Sequence, residues 1–222
     1  MPAQVERELI DELARCNTAT IGHFENGGFL PTSFMPVIAG QRIAGTVVTI
    51  QTPPLDSVLV HYAISGARPG DVLVIARGGE TDHACWGGTT ALAAKLAGVS
   101  GAIIDGPTTD VADQLSAAMP CWGRGTSPLT TKKLGLGGGL NVPVEIGGVV
   151  IRPGDAILAD DNGVFISSPW RVAEITSEAL ARQARKPATV EQLQAGVKLG
   201  DLSGADAIVR RGLEAQGKTP PW

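Results

Sequence analysis

The stretch GGETDHACWGGTTALAAKLAGVSGAIIDGPTTD, residues 78–110, follows directly on the apolar run VLVIA at residues 72–76. VLVIA has the length and composition of a buried strand. The glycine pairs at Gly78–Gly79 and Gly87–Gly88 bracket a loop, TTALAAKLAGVSG reads as a helix closed by glycine, and GAIIDG is a second buried strand. The unit is therefore strand, glycine-rich loop, helix, strand. In open α/β sheets ligands collect beyond the carboxyl ends of such strands, where glycine loops and helix N-termini offer unpaired N–H groups to anions. Residues 78–88 and 105–110 are both expected there.

Working outward, IAGTVVTIQ at 43–51 is β-branched and apolar, a strand. LDSVLVHYAISGA reads as a helix that stops at Gly66, and Pro69-Gly70 turns the chain into VLVIA. A short amphipathic helix is expected over about 3–15, with Val5, Leu9, Ile10 and Leu13 on one face. VADQLSAAM is a further helix. Residues 123–141, rich in glycine and threonine, read as a long irregular loop of the kind that usually serves function or an interface. Residues 142–168 alternate short strands with GG, PGD and DNG turns, an antiparallel hairpin series in which Asp160, Asp161 and Asn162 are turn formers. From Trp170 onward a helical tail to 222 is expected, broken at Pro187. The fold class is α/β, one domain over 1–222 with helical termini.

Bulk properties narrow the function. Aromatic residues make up only 4% of the chain, so the core must be aliphatic. A formal charge of −4 and the lack of a Lys/Arg block give no basis for nucleic-acid binding, which needs a basic surface. Three cysteines without metal-type spacing suit a reduced, cytoplasmic protein, and no apolar run is long enough to span a membrane.

The candidate chemistry sits in the central stretch. Asp110 suits a hard cation such as Mg²⁺ or Mn²⁺, or else caps the VADQL helix that it precedes. His83, among Glu80 and Asp82, is a candidate general base or added ligand. Arg77 and Arg124 are candidate anion contacts. Gly78, Gly79, Trp86, Gly87, Gly88 and Thr89 form the expected substrate loop. Cys85 reads as a small buried residue, and His61 as a structural histidine on its helix. His23 lies among turn residues.

These segments, with TATIGHF, GTVVTI, VHYAISGARPGDVLVI, NVPVEIGGVVIRPGD and ADDNGVFI, resemble the RraA-like family. That family holds both regulators of ribonuclease E activity and divalent-metal-dependent 4-hydroxy-4-methyl-2-oxoglutarate aldolases. The resemblance implies a β/β/α swivelling-type domain assembled as a homotrimer or hexamer, with the site between subunits and the glycine loop binding a small 2-oxo acid. It also implies that an Arg-Asp pair follows the second strand, the Asp binding Mg²⁺ or Mn²⁺ and the Arg the keto acid. Here those positions are Thr109 and Asp110, so the arginine's place is taken by a threonine. Gly88 stands where aldolases often carry a carboxylate, His23 where the family commonly has Asp, and Lys186-Pro187 where an acidic residue is usual. Three readings follow: a carbon–carbon lyase releasing pyruvate, a non-catalytic binding protein on the same scaffold, or an enzyme for a different small acid.

Overall fold

The computed structural model describes residues 1–219. Two compact units are present, Met1–Ala179 and a helical remainder from Leu180 onward. In chain order the first contains α1 (Arg7–Leu13), α2 (Thr18–Ile21), β1 (Met35–Pro36), β2 (Ile43–Gln51), α3 (Val58–Gly66), β3 (Asp71–Ala76), α4 (Gly88–Leu96), β4 (Gly101–Ile104), α5 (Val111–Ala117), β5 (Cys121–Gly123) and β6 (Gly139–Leu140). The hairpins β7 (Val144–Ile146) with β8 (Val149–Ile151) and β9 (Ala156–Asp160) with β10 (Gly163–Ser167) follow. Then come α6 (Pro169–Gln194), α7 (Leu199–Ser203) and α8 (Ala205–Glu214).

The main sheet runs β1-β5-β4-β3-β2-β9-β10, with β6 paired to β2. Its centre, β2 through β5, is parallel, and the flanking pairs are antiparallel. Parallel neighbours need crossovers, and α3, α4 and α5 supply them. Because side chains alternate along a strand, β3 sends Val72, Val74 and Ala76 to one face and Leu73 and Ile75 to the other. The first set packs with Val144, Ile146 and Ile151 of the small hairpin, the second with Val60 and Ala63 of α3 and Ala91 and Ala94 of α4. The layers are therefore hairpin, sheet and helices, the β/β/α order expected. Each Val, Ile or Leu so buried contributes roughly 1.5–3 kcal/mol relative to exposure. Gly45 lets β2 lie close: a Cβ there would meet Gly70 O at 2.5 Å and Val72 Cγ2 at 2.7 Å. Cys16, Cys85 and Cys121 are free and buried.

Two expectations change in detail. The first helix is shorter, starting at Arg7, because Gln4 and Val5 are drawn to the body: Gln4 Nε2 donates to Asp71 at 2.8 Å and Val5 N to Thr46 Oγ1 at 3.0 Å. Pro187 does not break the tail, since α6 runs through it. An interior proline costs about 3 kcal/mol, and the strong helix formers on either side of it, rich in alanine, glutamine and arginine, keep the flanking turns helical.

Asp160 does more than form a turn. Its carboxylate, 4% exposed, accepts the Thr18 amide at 2.9 Å, the Thr18 hydroxyl at 2.5 Å and the Asn162 amide at 2.8 Å, so it staples α2 to the end of β9. Burial alone would raise its pKa, but these donors outweigh that and hold it below the ordinary carboxylate value. A depressed folded pKa means the stabilisation is present above the unfolded value and is lost as pH falls through the folded one. Asp160→Asn should therefore cost roughly 1.5–3 kcal/mol near neutral pH. Thermal unfolding followed from pH 7 into acid should show the gap between variant and wild type closing.

Candidate functional site

The carboxyl ends of β3 and β4 carry the two loops expected to hold ligand, and parallel pairing sets them side by side. Thr109 N donates to Trp86 O at 2.9 Å, which ties the loops together. Asp110 sits at the head of α5 in the left-handed region, φ 54° and ψ 47°, a conformation that Asp tolerates better than most residues. Its side chain does not cap its own helix. Oδ2 instead accepts the Gly88 amide of α4 at 3.2 Å, and Oδ1 faces the Thr109 hydroxyl at 3.4 Å. Asp113 lies against the same turn: a Cβ on Gly88 would meet Asp113 Cβ at an impossible approach and Asp113 Oδ2 at 3.0 Å. The first turn of α4 is further ordered by Thr90, whose hydroxyl accepts the Gly87 amide and donates to the Gly87 carbonyl, both at 2.8 Å.

Beside this turn opens a cavity of about 310 Å³. Trp86, Gly87, Thr89, Thr109 and Asp110 line it, as the sequence suggests, and so do His61, Lys132 and Lys133. The last three are brought in by Asp56, buried at 1% exposure. Its carboxylate accepts the amides of Val58 at 2.9 Å, Leu134 at 3.2 Å and Leu136 at 2.6 Å, which pins the 123–141 loop to the start of α3. Ser57 N donates to Lys132 O at 3.0 Å, and a bridge pairs Ala84 with Thr130. The long loop is thus a cavity wall, held by the Asp56 carboxylate and by backbone bonds to Leu55, Ser57 and Ala84.

The sequence profile of the RraA-like family (Aldolase/RraA) matches residues 9–166. The chain belongs to the RraA-like family. A protein of Halalkalibacterium halodurans that carries the provisional name 4-hydroxy-4-methyl-2-oxoglutarate aldolase is 31% identical over 183 residues, covering 82% of this chain and 87% of that protein. Among solved structures, the RNA-processing inhibitor RraA from Thermus thermophilis superposes with a TM-score of 0.61 at 28% identity, over 67% of this chain and 90% of its own. RraAS2 of Streptomyces coelicolor gives 0.74 at 24% identity over 84% and 98%, a likeness of fold.

Against this RraA-like frame, several expected residues take other places. Arg77 is 1% exposed and does not reach the cavity. Its guanidinium donates to the carbonyls of His83 and Pro54, and its amide to Asp105 Oδ2 at 3.4 Å. It follows Leu73 and Ile75 in the strand alternation, so the register turns it inward. Arg124 is likewise engaged, 2.8 Å from Asp105 Oδ1 and stacked over Phe34 at 4.6 Å. Neither replaces the arginine implied before Asp110. Gly78, Gly79 and Gly88 are absent from the cavity lining; the first two have positive φ, 64° and 83°, serving the turn after β3, and Gly88 is buried against Asp113. His83 also lies outside the lining; its Nδ1 is 3.2 Å from Glu80 Oε1. Glu80 is held below the usual carboxylate range by the amides of His83 and then Asp82. His23 is exposed after α2 and lines none of this cavity.

Among the described residues no group of three or more His, Cys, Asp or Glu side chains is arranged to hold a metal. Asp110 nevertheless fits one kind of cation. Asp110 is exposed, and among the described residues its carboxylate makes only two long hydrogen bonds; Mg²⁺ commonly takes one or two protein carboxylates and completes its shell with water and substrate. Cys85 is no nucleophile, since burial pushes its thiol up to about 11. No described helix is long and apolar enough to cross a membrane.

Proposed function

We propose that this protein is a divalent-metal-dependent carbon–carbon lyase that releases pyruvate from a 4-hydroxy-2-oxo acid or from oxaloacetate. The observation that carries the reading is the Asp110 carboxylate: it faces the cavity and the first turn of α4, leaving its own helix uncapped by its side chain. Supporting it are membership of a family that includes aldolases and the provisional name of the Halalkalibacterium halodurans relative.

The residues present divide the work. Amides in the first turn of α4 have no carbonyl partner within the helix, and the positive end of the helix favours an anion, so the substrate carboxylate is received beside Thr89 and Thr90. Lys132 and Lys133 add positive charge to the cavity lining. A divalent cation, Mg²⁺ or Mn²⁺, held by Asp110 would stabilise the negative charge that develops on the keto oxygen as the bond breaks. Thr109 offers a hydroxyl where an arginine is implied, and the two lysines supply the missing cationic charge. The buried face of Trp86 closes the floor against water. The working unit in this reading is a homo-oligomer, as the family resemblance implies.

Purified protein with Mg²⁺ or Mn²⁺ should release pyruvate from oxaloacetate and from 4-hydroxy-4-methyl-2-oxoglutarate, read by NADH consumption with lactate dehydrogenase, and chelation should stop it. Rates equal to the metal-only background on both substrates would refute the reading. In that case a binding role on the same scaffold gains ground, a reading favoured by the uncharged Thr109 and Gly88.

A further inference from the structure

Carbon–carbon cleavage of a 4-hydroxy-2-oxo acid needs a group to take the hydroxyl proton. The cavity offers five ionisable side chains: His61, Cys85, Asp110, Lys132 and Lys133. Four are unsuited to that task. Asp110 is committed to the Gly88 amide and, in the reading above, to the cation. Lys132 and Lys133 are cations with no lone pair to offer in that state. Cys85 is 4% exposed, a thiol kept protonated by burial.

His61 differs from all four. It lies one turn into α3, its amide donating to Ser57 O at 3.2 Å, and Ser57 in turn is bonded to Lys132 O, so the backbone that carries the imidazole is tied to the segment that carries the lysine pair, and all three side chains line the cavity. The ring makes no hydrogen bond to any described residue and remains open to the cavity. Partial burial and then the nearby Lys133 charge hold it below the ordinary histidine value, which keeps it neutral, with a free nitrogen lone pair, near pH 7.

Resting on the lyase reading, we propose that His61 is a catalytic residue: it accepts the proton of the substrate's 4-hydroxyl and returns it to the enolate carbon. As the O–H bond breaks, its electron pair forms the C=O bond at C4. The C3–C4 pair moves into the C2–C3 bond, giving the pyruvate enolate, and the carbonyl product departs. The imidazolium then gives its proton to C3, so pyruvate is formed and His61 is neutral again. No oxidant or further reactant is needed. The Lys133 charge that disfavours the imidazolium helps it give the proton up.

Decarboxylation of oxaloacetate removes no hydroxyl proton, because the electron pair comes from the bond to the departing CO₂. The two reactions in one cavity therefore separate His61 from the rest of the site. In His61→Ala and His61→Gln the ratio of aldol cleavage to oxaloacetate decarboxylation should fall about 10²-fold, through kcat with KM little changed, and added imidazole should restore part of the aldol rate to His61→Ala. An unchanged ratio overturns the proposal, whether both rates survive or both fall together, the latter indicating a positioning or structural role. Thermal unfolding of each variant identifies a folding defect, and the ratio in whichever variant remains folded decides. A wild-type protein inactive on both substrates removes the lyase reading itself and this proposal with it.

Discussion

Asp110→Asn should reduce metal-dependent pyruvate release by at least about 10²-fold while leaving the protein folded. Among the described residues the exposed carboxylate makes only two side-chain hydrogen bonds, at 3.2 and 3.4 Å, and neither holds an element that lacks other support. Asparagine keeps the shape and can still accept from Gly88 through its carbonyl oxygen, but it removes the negative charge that draws a hard cation. Titration with Mn²⁺ should show affinity lost in parallel with activity, and thermal unfolding without metal should be nearly unchanged. Asp113→Asn separates the two carboxylates near Gly88, with a smaller loss expected because its contact is with the helix turn. An Asp110→Asn protein that kept its rate and its Mn²⁺ affinity would remove the cation site from this position.

Arg77→Met should act in the opposite way, on stability before activity. The side chain is 1% exposed, its guanidinium bonds two carbonyls on separate loops, and Gly106 packs so tightly that a Cβ there would stand 2.9 Å from Arg77 Nη1. Methionine fills similar volume and leaves the carbonyls of His83 and Pro54 without donors, each lost bond to the charged group costing roughly 1.5–3 kcal/mol. Two such losses amount to roughly 3–6 kcal/mol, so a Tm lower by on the order of 10 °C is expected. Arg77→Lys should recover only part, since an ammonium cannot span both carbonyls as a planar guanidinium does. A variant as stable as wild type would mean that Asp105 and Arg124 alone keep the loop in place.

Much of the frame was legible because local and tertiary signals agree. In VLVIA the odd and even positions are all apolar, as a central parallel strand demands, and the glycines at Gly66, Gly70 and Gly98 mark where helices end and turns begin. Asp110 was legible as a candidate carboxylate beyond the end of β4, although not its partner: that its side chain would reach across to α4 depends on the spacing of two loops. His61, Lys132 and Lys133 were missed for a related reason. They join the cavity through Asp56, which grips amides 78 and 80 positions away, and no periodicity in the intervening chain carries that contact. Arg77 was misplaced although a signal existed. Counting by twos from Leu73 through Ile75 arrives at it, so the strand's own alternation assigns it to the covered face, whereas its charge argues for water. Burial prevailed because the carbonyls of His83 and Pro54 were there to receive the guanidinium.

The three free thiols give the body a reporter of its own. Cys16, Cys85 and Cys121 are all buried, and Cys121 belongs to the same helix-side packing as Cys85, whose neighbour Trp86 lines the cavity. An alkylating reagent can reach them only when the packing around them parts, so the rate of modification counts excursions of the native ensemble. Cys85 is the informative one, because a molecule seated over Trp86 would slow its exposure while leaving Cys16, just past the end of α1, to respond as before.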